Sequence, residues 1–193
     1  MSFGRVRSGG NFYGGHVGQA MDALKVAVAS VADLLDRQLQ LVVDARYSNG
    51  LPANLVRPEG PADAGLHHGY KGMQIACSAV TAEALKHAGP ATVFSRSTEA
   101  HNQDKVSMGT IAARDARTVV ELGHEVAAIH LHALCQAVDL RGVERASSVT
   151  RRVHAAVRAE VPPLRDDRRM DRDIAALVDL VRSGGLREAA EPR

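Results

Sequence analysis

The sequence predicts an all-α protein, and three observations carry that prediction. Apolar residues recur at helical spacing over long stretches, strand-type alternation is weak throughout, and Asn-Gly, Gly-Pro and Pro-Pro pairs fall between the periodic stretches. The 193 residues are 45% hydrophobic and 24% charged, the balance of an ordinary globular chain with one real core. Aromatics are 3% and Trp is absent, so Leu, Val, Ile and Ala must fill that core.

The chain opens on a glycine-rich stretch, Ser8-Gly9-Gly10-Asn11-Phe12-Tyr13-Gly14-Gly15. Helical periodicity follows over residues 16–43, with Val17, Ala20, Met21, Leu24, Val28, Val31, Leu34 and Leu35 on one broad face. Asn49-Gly50-Leu51-Pro52 breaks it, and an irregular region extends to about Gly69. A second helix is expected over 71–87, stopped by Gly89-Pro90, and a polar, non-periodic stretch occupies 95–103. Asp104 is a good N-cap residue, so the longest helix is predicted to start there and run to about Val138. At about 1.5 Å per residue it spans roughly 50 Å. It is apolar on nearly every side, and such a helix must be buried. One chain of this size can hardly cover two such rods, which predicts self-association, as a tetramer, through the long helices. Two shorter amphipathic helices are expected at 147–160 and 171–181, hinged by Val161-Pro162-Pro163. Beyond Gly142 the chain becomes charge-dense, so residues 1–141 are expected to form the core part and 142–193 a peripheral helical appendage.

The formal charge of +2 points to neither nucleic acid nor an anionic membrane, and the tail arginines alternate with aspartates as on a solvated face. No apolar run is long enough to span a bilayer and no signal-peptide pattern opens the chain, so a cytoplasmic protein is expected. Cys77 and Cys135 sit singly in apolar helical patterns and are expected to be buried free thiols. His130 and His132 lie two apart on one helix and His124 six before His130, spacings that do not converge on a metal. His67-His68 are adjacent in a loop. Ser107 and Ser147 have no base at a motif spacing, which disfavours a hydrolase triad. A phosphate cradle at residues 8–15 lacks the preceding strand and the P-loop lysine.

Four strings carry more than composition. They are the opening glycine-rich string, Ser48-Asn49-Gly50-Leu51-Pro52, His101-Asn102-Gln103-Asp104, and Val106-Ser107-Met108-Gly109-Thr110-Ile111-Ala112-Ala113-Arg114. In this order and spacing they resemble the C-terminal half of the histidine/phenylalanine ammonia-lyase family, enzymes that use a methylidene-imidazolone (MIO) group. The resemblance implies a long-helix bundle of the ammonia-lyase (fumarase/aspartase-like) type that assembles as an oligomer. It implies that Asn11 and Phe12 reach a substrate site, that Glu99 sits by the substrate amine, and that Asn102 and Gln103 hydrogen-bond near the substrate carboxylate and the prosthetic group. Read without the resemblance, the first string is a turn before a helix and the third a capped helix entry. The capping reading explains Asp104 but leaves Glu99 and Gln103 without a role. Tyr13-Gly14-Gly15 departs from the His-Gly-Glu usual in the family. Histidine-specific relatives tend to carry Glu where Gln103 stands, so the string leans toward phenylalanine-type enzymes.

The family builds its MIO from Ala-Ser-Gly, and that tripeptide does not occur in these 193 residues. The tyrosine base and the carboxylate-clamping arginine of similar enzymes also belong to the N-terminal half. The chain alone is therefore expected to position an amino acid substrate but not to react with it. Two functions remain open at this stage. One is a lyase subunit completed by a separate N-terminal lyase chain; the other is a non-catalytic helical oligomerisation protein.

Overall fold

The computed structural model describes residues 12–57 and 65–191, and within them every regular element is helical. Helix α1 spans Gly15–Val43, α2 Lys71–His87 and α3 Gly109–Arg141, and these three pack side by side as the body of the molecule. Helices α4 (Ser148–Glu160), α5 (Asp171–Arg182) and α6 (Gly185–Ala190) follow; α5 lies on α3 and α6 on α4. The short α6, entered through Gly184 at φ 84°, has no counterpart in the periodicity of the sequence. No described helix is long and apolar enough to cross a membrane.

The principal core joins Leu39 and Val43 of α1, Tyr70, Met73 and Cys77 at α2, and Val126, Ile129 and Ala133 of α3. A second core sets α5 against the outer side of α3 through Ala128, Cys135, Val157, Val161 and Leu177. Both cysteines are buried and free, as expected. Burial pushes the Cys77 thiol up to about 12 and the Cys135 thiol up to about 11, so both remain protonated and unreactive at neutral pH. Ser147 caps α4 by accepting from the Thr150 amide at 3.1 Å, and the α4 boundary agrees with the sequence.

Two expectations are corrected. The first concerns which face of α1 is buried. Val17, Leu24, Val31 and Leu34, on the broad apolar face that periodicity defines, are 55%, 39%, 56% and 55% exposed. The helix instead buries Gly18, Asp22, Lys25, Ala29, Ala32, Asp36, Leu39 and Val43. Small residues let α3 approach closely, and each buried charge has a partner supplied by distant parts of the chain. Lys25 donates to the Gly89 carbonyl at 2.6 Å and pairs with Asp22 at 2.8 Å; Asp36 accepts from Ser78 at 2.8 Å and from Arg37.

The second correction is the start of α3. Asp104 does not cap it; the helix begins at Gly109, preceded by Met108 in the left-handed region at φ 54°. The Ser95 hydroxyl donates to the Val106 carbonyl at 2.7 Å and accepts from the Val106 amide at 3.1 Å, which holds the backbone out of helical geometry past Asp104. At Gly109 the helix can begin only because two backbones meet there. A Cβ on Gly109 would lie 3.3 Å from the Gly14 carbonyl oxygen, and one on Gly18 would lie 3.1 Å from the Ser107 carbonyl oxygen.

Candidate functional site

The entry loops of α1 and α3 meet at one end of the bundle, and there they form a cleft of about 420 Å³. It is lined by Phe12 and Tyr13 from the first loop and by residues 102–107 from the second. Phe12 is 85% exposed, so its ring is offered outward and is not spent on the chain's own core. Phe12, Asn102 and Gln103, three of the residues that the sequence singles out, are thus brought together. Asn11 lies outside the described residues.

Glu99 stands just beyond this lining, on a tight hairpin closed by the Thr98–Gln103 pair, whose amides and carbonyls exchange bonds of 2.8 and 3.3 Å. Three consecutive non-glycine residues in that hairpin are left-handed: Glu99 (φ 54°), Ala100 (φ 53°) and His101 (φ 67°). Each such residue costs of order 1 kcal/mol, a strain that persists only where the surroundings impose it. The Asn102 amide donates to Glu99 Oε2 at 3.5 Å, and the Asn102 N–H donates to the Glu99 carbonyl at 3.0 Å. Ser97 Oγ meets His101 Nδ1 at 2.8 Å across the same turn. In the chain as folded, Arg96, Glu99, His101, Asn102 and Asp104 are exposed and Gln103 is half-buried. The hairpin projects from the end of the bundle instead of lying inside it.

What fixes the site from beneath is a buried ion network that hydrophobicity patterns could not reveal. Asp22, 7% exposed, accepts from the Ala91 and Thr92 amides at 3.0 Å each and from the Thr92 hydroxyl at 2.7 Å, besides Lys25. Burial alone would push this carboxyl up, but Lys25 and the three donors outweigh it and hold Asp22 well below the usual carboxylate range. Asp115 of α3 approaches Lys25 at 3.7 Å, so the network joins α1, α3 and the segment leading into the 95–108 loop.

A second buried network lies away from this cleft. The Tyr70 hydroxyl is 2.5 Å from His132 Nδ1, His132 Nε2 is 3.1 Å from Asp173, and Asp173 pairs with Arg168 at 2.6 Å. Burial lowers the His132 pKa despite the Asp173 carboxylate, which keeps the ring neutral and bridging. The sequence assigns His132 no role; its partners, 62 and 41 residues away, carry no local signal. Among the described residues no group of three or more His, Cys, Asp or Glu side chains is placed to hold a metal.

Comparison with known proteins places this geometry in context. A sequence profile described as aromatic amino acid lyase matches residues 2–159. The chain is 41% identical over 188 residues to a histidine ammonia-lyase of Gloeobacter violaceus, covering 97% of this chain and 36% of that protein. It is 43% identical over 172 residues to a tyrosine ammonia-lyase of Cereibacter sphaeroides, covering 88% of this chain and 32% of that protein. Among solved structures, the histidine ammonia-lyase of Trypanosoma cruzi superimposes with a TM-score of 0.88 at 32% identity, over 98% of this chain and 36% of that one. A tyrosine aminomutase of Streptomyces globisporus gives a TM-score of 0.88 at 35% identity, over 97% of this chain and 35% of that one. The chain thus spans about a third of the length of the proteins it matches.

Proposed function

The chain belongs to the aromatic amino acid lyase family, and on that premise we propose that it is the C-terminal, substrate-positioning portion of an aromatic amino acid ammonia-lyase. The observation that carries this reading is the cleft at the loop end of the bundle, where Phe12 stands beside Asn102 and Gln103. Ammonia elimination breaks a C–N bond and removes a β-proton, and the groups that do so must be held in register with the substrate. In this reading the Phe12 ring packs on the substrate ring, and Asn11 is assigned to the same site by resemblance alone. The Asn102 and Gln103 amides donate to the substrate carboxylate, and Glu99, oriented by Asn102, accepts from the ammonium. Histidine-specific relatives tend to carry Glu where Gln103 stands, and on that difference the reading favours a phenylalanine-type over a histidine-type substrate.

The MIO group, when bound, supplies the electrophile that makes the amine a leaving group. These 193 residues contain no Ala-Ser-Gly and are not its source. The electrophile and the base therefore come from lyase residues outside them, most simply from an N-terminal lyase subunit. Self-association is part of the same proposal. Val17, Leu24, Val31, Leu34 and Leu41 form an exposed stripe along α1 at successive steps of seven, seven, three and seven residues, the spacing of a helix–helix seam with no partner among the described residues. An apolar groove of about 470 Å³ lined by Leu41, Leu131, Leu134 and Val138 continues it.

The test is co-expression with the portion of the Gloeobacter violaceus histidine ammonia-lyase that this chain does not match. The purified chain alone should form no cinnamate, coumarate or urocanate, and the assembled pair should deaminate an aromatic amino acid. Turnover by the chain alone above a boiled control, or failure of the pair to assemble and react, would overturn the proposal.

A further inference from the structure

We propose that Lys105 is the carboxylate-recognising cation of this cleft and that Tyr13 is the wall against which the ligand is held. The proposal rests on the lyase reading of the cleft. It goes further in naming a cation, Lys105, to which neither the motifs nor the relatives assign a role.

Two clefts adjoin at the loop end, of about 420 and 480 Å³, and Tyr13, Lys105 and Ser107 line both. The remaining polar groups are neutral donors and acceptors, Asn102 and Gln103 in one cleft, Gln19 and Thr92 in the other. Asp104 is the one carboxylate in the described lining of the two clefts, and it borders only the first. Lys105 makes no ion pair among the described residues, in contrast to Lys25, which is fully spent on Asp22 and Gly89. An unpaired ammonium between two polar clefts selects for an anion, and amide donors alongside favour a planar carboxylate over a diffuse charge.

The local geometry makes this a prepared position. Residue 106 is pinned through both its amide and its carbonyl by Ser95, and residue 103 is pinned through the Thr98 pair. The base of the lysine is therefore fixed on both sides while its chain reaches the clefts. Tyr13 is fixed by contact with the start of α1: a Cβ on Gly15 would run into its ring. Tyr13 and Gly15, two departures from the family's usual string, are thus structurally coupled, since the glycine leaves the volume that the ring occupies. A flat aryl acid, with its ring against Phe12 and Tyr13 and its carboxylate toward Lys105, fits this division of apolar and cationic surface.

The experiment titrates the isotope-labelled chain with trans-cinnamate and with cinnamamide, its uncharged isostere, following the backbone amides of Phe12, Tyr13 and Gln103. Cinnamate should shift these amides with an affinity at least about tenfold above that of cinnamamide. Lys105→Gln should erase that preference, and Lys105→Arg should retain most of it. Because Lys105 is exposed, neither variant should change the melting temperature, which checks that folding is intact. Equal binding of acid and amide, unchanged cinnamate affinity in Lys105→Gln, or no shift at these amides at millimolar ligand would each overturn the assignment. The two readings fail separately. Turnover by an assembled pair with an unaltered KM in Lys105→Gln refutes Lys105 and spares the lyase, whereas acid selectivity in a pair that never deaminates does the reverse.

Discussion

Replacing Asp22 with Ala would expose how the site is held up. The substitution leaves the Lys25 ammonium, whose side chain is 0% exposed, with the Gly89 carbonyl at 2.6 Å and Asp115 at 3.7 Å, the latter 35% exposed. It also removes the acceptor of the Ala91 and Thr92 amides. Removing one partner of a buried pair typically costs about 3–5 kcal/mol, because the survivor keeps its desolvation without its counter-charge. The orphaned amides would add about 1–3 kcal/mol if they stayed dry. Thr92 is only half-buried and can rehydrate, so the expected total is about 4 kcal/mol. For a chain of this size that is a fall in melting temperature of roughly 8–16 °C. Urea unfolding followed by far-ultraviolet circular dichroism would measure it. The double variant Asp22→Ala/Lys25→Met removes both charges and should recover at least about 2 kcal/mol, since a buried pair and an apolar replacement are often close in stability. The pH dependence follows from the depressed Asp22 pKa. Its contribution is complete above the unfolded carboxyl value, near 4, and is lost as the pH falls through the lower folded value. The gap between wild type and Asp22→Ala should therefore narrow only in strong acid. A cost of Asp22→Ala below about 1 kcal/mol, or a double variant as unstable as the sum of the singles, would refute the network argument.

Three further outcomes are expected. Val31→Asp/Leu34→Asp should dissociate the proposed oligomer in sedimentation experiments while changing folding stability by only about 0.5 kcal/mol, because both residues are more than half exposed in the single chain; a wild-type monomer at micromolar concentration would contradict the seam. In an active assembled pair, Glu99→Ala and Gln103→Ala should each lower turnover roughly ten- to a hundredfold. Asp104→Ala, which caps nothing, should shift stability by no more than about 0.5 kcal/mol, and full activity in both loop variants would remove their assigned roles. Tyr70→Phe should cost about 1–2 kcal/mol by orphaning His132 Nδ1. Because the folded His132 pKa lies below its usual value, its contribution is present above about pH 6.5 and declines as the pH falls below it, and a flat stability profile between pH 7 and 5 would argue against a buried neutral ring.

Helix identity was legible along most of the chain because it is a local property. The three-to-four spacing of α1, α2 and α3 and the bounds of α4 are written within a few residues of where they act. So were the motifs around Gln103, since the residue types themselves carry the resemblance. The face that α1 buries was not legible. Counting hydrophobic residues puts Lys25 and Asp36 outside, and only Gly89 and Ser78, brought up by the fold, together with Asp22 one turn before Lys25, make those charges tolerable inside. The start of α3 was misplaced for a similar reason. Asp104 is locally a fine cap, but the Ser95 hydroxyl holds Val106 extended, and helical geometry waits for the glycine contact with α1. The sequence by itself therefore determined the five longer helices, the family motifs and the identity of Phe12, Glu99, Asn102 and Gln103 as candidates. Only the tertiary structure decided that Phe12 stands beside Asn102 and Gln103 and that Lys105 and Tyr13 share their cleft, because proximity between loops distant in the chain is set by how the helices beneath them pack.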